Sequence, residues 1–259
     1  MSPRSDPGAS PTPGLPVTTP LTALLLHGVG SSSDTWWRLR EDLGDLGWET
    51  TALDLAGHGD RPVPPSGLRT LSDLGDDVWA QVADQRFDVV VGHSLGAVVA
   101  LDLVAAHPGL AGHVVVVDPP ALGGGLDVGL VADSLVRDAA AAREDPDGVA
   151  RTLAGANPRW SGRDVEGVVA NRTRFDVAVA QWLRHQHWDL PALVVDCPLP
   201  VSLVVADGPE TATVEPGRTQ VLAGLEPSRV VAIKGGHGLH RDRPALFLRA
   251  LLELTTPAG

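Results

Sequence analysis

The chain has 259 residues, of which 43% are hydrophobic, which suits one α/β domain with an inserted subdomain and argues against wholesale disorder. Its 20 basic and 32 acidic side chains leave a net charge of −12, which argues against nucleic acid or an anionic membrane as partner. The one cysteine, Cys197, excludes an internal disulfide and any multi-cysteine metal site, and the absence of tyrosine removes a phenolic acid or base.

Residues 1–20 are rich in Pro, Ser, Thr and Gly and lack the apolar core of a signal peptide, so a flexible tail on a cytoplasmic protein is expected. Short apolar runs then alternate with longer amphipathic stretches, the pattern of a parallel sheet covered by helices. Strands are expected at 21–26, 48–54, 87–91, 113–117, 201–206 and 230–234. Helices are expected from Asp34 to about 46, from Thr70 to about 84, after Ser94 to about 107, and from about 243 to 254. The interval 119–198 breaks this rhythm. Its periodicity is helical around 128–144, 147–155, 162–174 and 176–188, and its one strand candidate is the short run 193–195. Eighty residues is too long for a simple crossover, so the interval reads as a helical cap. The division expected is a tail at 1–20, a core at 21–118 and 199–259, and the cap between.

Gly92-His93-Ser94-Leu95-Gly96 matches G-x-S-x-G and lies between an apolar strand and a helix. The glycines permit a sharp turn that lifts the serine into an exposed, strained position, and the helix N-terminus behind it favours developing negative charge. A nucleophilic serine needs a base. His237 stands in a glycine-rich loop just past the last strand and is preferred to His240, three residues on. The base needs a carboxylate to orient it. Asp207, at the end of the 201–206 strand, is preferred. Asp118 and Glu210 satisfy the same chain order and stay open. The oxyanion requires two donors. The Leu95 amide follows the nucleophile, and the Val29 amide is its expected partner in the loop after the first strand. Tryptophans near a cap–core crevice, Trp36, Trp182 and Trp188, are candidates to line an apolar acyl or aromatic pocket.

These pieces together resemble the α/β-hydrolase superfamily in its compact serine-nucleophile branch. The residues that carry the resemblance are Leu24-Leu25-Leu26-His27-Gly28, Asp54-Leu55-Ala56-Gly57-His58-Gly59, the Ser94 turn, and the segment from Gly236 to Pro244. The resemblance implies a mostly parallel sheet of about six strands with a helical cap, a Ser-His-acid triad, and no cofactor or metal. Two departures stand out. The proline-rich start leaves no room for the antiparallel hairpin that usually opens the fold, and Ala206-Asp207-Gly208-Pro209-Glu210 replaces the usual acid-bearing turn. Dehalogenases and epoxide hydrolases of this superfamily resemble one another in carrying aspartate where Ser94 stands. The expectation is therefore a serine hydrolase that cleaves a carboxylic ester or related acyl bond of a small molecule with an apolar or aromatic part. Thioesterase, lactonase, cofactor-free perhydrolase and C–C hydrolase activity on the same triad are alternatives, as is a binding member without turnover.

Overall fold

A computed structural model describes residues 20–120, 127–208, 211–212, 221–226 and 229–255. The tail expected at 1–20 lies outside the described residues except for its last position. The described strands are β1 (Thr22–Leu26), β2 (Glu49–Leu53), β3 (Phe87–His93), β4 (Ala111–Val117), β5 (Val201–Ala206) and β6 (Val230–Ile233). They form one sheet in the order β2-β1-β3-β4-β5-β6, and every pairing is parallel.

The pleat explains why these strands are almost continuously apolar. Successive side chains face opposite layers, and both layers are covered by helices. Leu24, Leu26, Val90, Val114, Val116, Leu203 and Val205 belong to one core cluster. Ala23, Leu25, Val89, Val91, Val115, Val117 and Val204 belong to the other. Helices α2 (Leu71–Val82) and α3 (Leu95–Ala106) cover the first face. Helix α1 (Trp37–Asp45) and the C-terminal helix cover the second with Leu39, Leu43, Phe247 and Leu251. Leu95–Ala106 is buried on nearly all sides, which is why its sequence is apolar all round rather than striped.

Between β4 and β5 run α4 (Val128–Glu144), α5 (Pro146–Ala156), α6 (Gly162–Arg174), α7 (Val177–Leu183) and α8 (Leu190–Val195). Side-chain caps set their starts. Asp127 accepts from the Leu130 amide, Asp145 from Gly148, and Ser161 closes a capping box with Asp164. The expected strand at 193–195 is instead the end of α8. Asp189 caps the Ala192 amide, and Pro191 falls in the first turn, where its missing N–H has no intrahelical partner to lose. The chain ends in a short helix α9 (Leu239–Asp242) and in α10 (Pro244–Thr255). No helix among the described residues is long and apolar enough to cross a membrane.

Candidate active site

The C-terminal ends of β1, β3 and β4 meet under the inserted helices, where a parallel sheet with this connectivity opens its crevice. Ser94 ends β3 with φ 53° and ψ −120°, a left-handed conformation that a residue with a side chain seldom adopts. The surroundings hold it there. Its amide donates to Val117 O on β4 at 2.9 Å, and α3 starts immediately behind it. The two glycines of the motif are required by close approach. A Cβ on Gly92 would lie 2.2 Å from Gly96 O, and one on Gly96 would lie 2.4 Å from Leu26 O. Only a chain without those carbons can run α3 so tightly across β1 and β3. Gly28 is held likewise, since a Cβ there would come within 2.9 Å of the Ser94 Cβ.

The loop after β1 is anchored from below by His27. Its Nδ1–H donates to Gly28 O at 2.8 Å, and its Nε2 accepts the Leu55 amide at 3.0 Å. Both bonds need the neutral ring. Burial pushes the His27 pKa down to about 4, and it pushes His58, stacked edge-on against it, down to about 3. Gly28, Val29, Gly30 and Ser31 then line one wall of a cavity of about 550 Å³, with Ser94, Leu95 and His237 on the same cavity. The residues expected to supply the two oxyanion amides thus face the same space as the serine.

His237 is held at both ends. Its carbonyl accepts the His93 Nε2–H at 2.9 Å, and its Nδ1–H donates to Asp118 Oδ2 at 2.6 Å. The His93 ring lies 4.6 Å from that of His237, and burial, with the neighbouring imidazole next, lowers its pKa to about 3. His240, the rival base, is buried beneath. Its Nε2 is 2.7 Å from Thr35 Oγ1, and its ring packs on Trp36 and Phe247.

The carboxylate against His237 is Asp118 and not the preferred Asp207. Asp118 is fully buried at the end of β4 with φ 41°, a second left-handed residue. It accepts from the Ala206 amide at 3.2 Å, the Thr211 hydroxyl at 2.6 Å and the Ala212 amide at 2.8 Å, besides His237. Burial alone would raise its pKa, but these donors, His237 first, outweigh burial and hold it below the usual carboxylate value. Asp207 is exposed, and its amide only extends the β5–β6 pairing to Ile233 O. The reason lies in the histidine loop. The sheet order does set β5 beside β6, but the loop reaches back across the sheet until His237 O meets His93 on β3. The strand end nearest its ring is then β4. Glu210 lies outside the described residues.

The expected aromatic pocket is corrected in part. Trp188 lines the cavity, with its Nε1–H on Pro120 O at 2.9 Å. Trp36 is fully buried on the opposite face of the sheet, stacked with Phe247, because the helical turn after Ser32 rolls it under the loop. Trp182 packs inside α7 with the first core cluster and is not on the cavity wall. Trp160 is on the wall, as are the aliphatic Val131, Leu135 and Leu153. Arg172 and Arg241 also reach it, although the sequence analysis singled out neither. Arg241 stands on α9, four residues after His237 in the chain.

With this geometry in hand, known proteins can be compared. The model of the alpha/beta hydrolase family matches residues 23–250, and the chain belongs to that family. Among curated relatives, Lipase LipV of Mycobacterium tuberculosis is 34% identical over 121 residues, 45% of this chain and 44% of that protein. The probable lysophospholipase BODYGUARD 4 of Arabidopsis thaliana is 34% identical over 101 residues, 38% of this chain and 24% of that protein. The chain therefore matches less than half the length of these curated relatives. Of solved structures, the esterase RhEst1 from Rhodococcus sp. ECU1013 superposes with a TM-score of 0.70 at 20% identity, covering 93% of this chain and 92% of that one. A thermophilic esterase from Thermogutta terrifontis gives 0.70 at 19% identity, covering 91% and 89%. These two likenesses establish the fold.

Proposed function

We propose that the protein is a serine hydrolase that cleaves a carboxylic ester or related acyl bond of a small molecule through an acyl-enzyme on Ser94. The Ser94 hydroxyl adds to the carbonyl carbon as His237 Nε2 takes its proton. Asp118 holds the ring with Nδ1 protonated and stabilises the imidazolium. The carbonyl oxygen becomes an oxyanion on the Val29 and Leu95 amides. His237 returns the proton to the departing alcohol as the C–O bond breaks. Water, deprotonated by the same ring, then adds to the acyl carbon, and collapse releases the acid and restores Ser94.

The observation that carries this reading is the 2.6 Å bond from His237 to a carboxylate whose other partners are donors, on a cavity that also holds a serine at positive φ. Relatives named as lipase and esterase support an acyl bond as the target. The aliphatic wall and Trp188 support a substrate with an apolar or aromatic part, and we take the helices between β4 and β5 as the cap that shapes it. Ser94→Ala should lower kcat on a 4-nitrophenyl ester by about 10⁴–10⁶ with an unchanged circular dichroism spectrum. A fluorophosphonate should label the wild type at Ser94 alone. Labelling at another serine, or full turnover by the variant, would overturn the reading.

A further inference from the structure

The cavity wall carries charged side chains that the proposed chemistry does not use. Arg241 and Arg172 both reach it, and so does one carboxylate, Asp138. Arg172 and Asp138 pair with each other at 2.8 Å. Arg241 forms no ion pair among the described residues. Its Nη2 donates to two neutral hydroxyls, Ser31 Oγ at 3.2 Å and Thr35 Oγ1. Two carboxylates, Asp242 and Asp164, lie close enough to act on its charge without pairing with it, and their oxygens accept from other donors. Asp242 accepts the Trp160 indole at 2.7 Å and the Gly236 amide at 2.6 Å, and Asp164 accepts the Trp37 indole at 2.9 Å and the Ser161 hydroxyl at 2.7 Å.

The guanidinium is also held in place. It sits 5.2 Å over the Trp160 ring, itself fixed by the bond to Asp242, and its tie to Ser31 joins it to the loop opposite Ser94. Burial lowers its pKa to about 10, against the raising influence of the Asp164 and Asp242 carboxylates, so it keeps its charge at neutral pH. A guanidinium taken partly out of water, whose Nη2 donates to two hydroxyls and which pairs with no carboxylate among the described residues, has further N–H groups to offer an oxyanion. On a chain of net charge −12, an exposed surface would not attract one. The cavity wall is the exception. A guanidinium on the wall suits a monoanion with two coplanar oxygens, which its fork can meet with two hydrogen bonds.

We propose that the substrate carries, beside its scissile acyl bond, an ionised carboxylate that Arg241 binds. This rests on the serine-hydrolase reading and adds a substrate class to it: the monoacid ester or amide of an apolar diacid or hydroxyacid. Ser31 and Trp160 position the guanidinium, and the aliphatic wall takes the connecting chain.

The test compares charged esters with neutral isosteres. Mono-4-nitrophenyl glutarate is set against 4-nitrophenyl valerate, and 4-acetoxybenzoate against phenyl acetate, so the carboxylate is tried on each side of the bond. The wild type should prefer the charged member of at least one pair. Arg241→Gln should lose that preference by about 30-fold or more, chiefly in KM, and Arg241→Lys should recover only part, because a point charge lacks the fork. Glutarate should raise the wild-type Tm and leave that of Arg241→Gln unmoved, while glutaramide should move neither. Turnover of neutral esters with no charged preference in either pair and no glutarate shift would overturn this inference and leave the hydrolase reading standing. Absence of any turnover and of Ser94 labelling would overturn that reading, and the glutarate shift would still decide Arg241. If Arg241→Gln fails to fold, Arg241→Lys and the glutarate titration carry the decision.

Discussion

The two sides of the cavity are built by different means. On the sheet side, backbone does the work. Ser94 and Asp118 sit at positive φ, glycines permit approaches that no Cβ would survive, and main-chain groups hold Asp118, His27 and the His93 ring. On the inserted side, the wall is side chains on helices: Val131 and Leu135 on α4, Leu153 on α5, Arg172 on α6. Geometry fixed by backbone has little freedom to vary without loss of the fold. A wall of side chains can change residue by residue. Under the proposed function, the strand ends carry the reaction type and the helices between β4 and β5 carry selectivity.

The largest expected effect lies on the sheet side and separates two carboxylates. Asp118→Asn should cut kcat on an activated ester by about 10³–10⁴, because the imidazole loses its tautomer and the charge that stabilises its protonated form. Asp207→Asn should cost tenfold or less, since Asp207 is exposed and touches the site nowhere. Both are read as kcat at saturating substrate, with Tm as the control for folding. A larger fall in Asp207→Asn would mean that the loop after β5 rearranges when substrate binds.

That pair also marks what a sequence can and cannot carry. The central strands were legible because burial on both faces makes them apolar runs, whereas β2 at the sheet edge carries Glu49, Thr50 and Thr51. The turn at Ser94 was legible because it demands glycines at fixed spacing, and the loop of His237 because it follows the last strand and is rich in glycine. Asp118 was not, because its selection depends on a left-handed turn at a residue that is not glycine, and on how far the histidine loop folds back. Neither leaves a trace in spacing. Trp36 and Trp182 went astray for a related reason: an aromatic residue on a helical turn faces inward, but which layer it enters is a matter of one residue of rotation. The α8 segment was misread because three consecutive apolar residues have no period, and its capping Asp189 and Pro191 lie just before the run.

A second consequence of the sheet side is acid lability. His27, His58 and His93 are buried and neutral, with pKa values lowered to about 4, about 3 and about 3. The unfolded chain binds these protons near pH 6.5, and the folded chain does so only at far lower pH. Between those limits the unfolded state holds more protons, so stability falls as pH falls, by up to about 1.4 kcal/mol per pH unit for each ring. Asp118 adds in the same direction below the ordinary carboxylate value, since its folded pKa is lowered. Calorimetry should find Tm falling by on the order of 10 °C from pH 7 to pH 5. A flat profile over that range would show that these rings are charged in the native state, and the bonds drawn for His27 could not then both hold.

The smallest expected effect lies on the inserted side, and it tests whether the wall can change without the chemistry. Leu153 is 9% exposed on α5 and faces the cavity. Tryptophan there would project into open space of about 550 Å³ and not into a filled core. Overpacking a closed interior costs about 1–3 kcal/mol, so Leu153→Trp should stay at or below the lower end of that range. The added ring should block a long acyl chain and leave a short one room. The variant's kcat/KM on 4-nitrophenyl decanoate should fall about tenfold relative to its value on 4-nitrophenyl acetate, in line with what one pocket contact discriminates. Its kcat on the acetate and its rate of labelling by a small fluorophosphonate should stay within about threefold of wild type, because Ser94, His237 and Asp118 are held from the sheet. Equal losses on both esters, with slowed labelling, would mean that α5 positions the reacting groups, and the division between a fixed sheet side and a variable wall would fail at that helix.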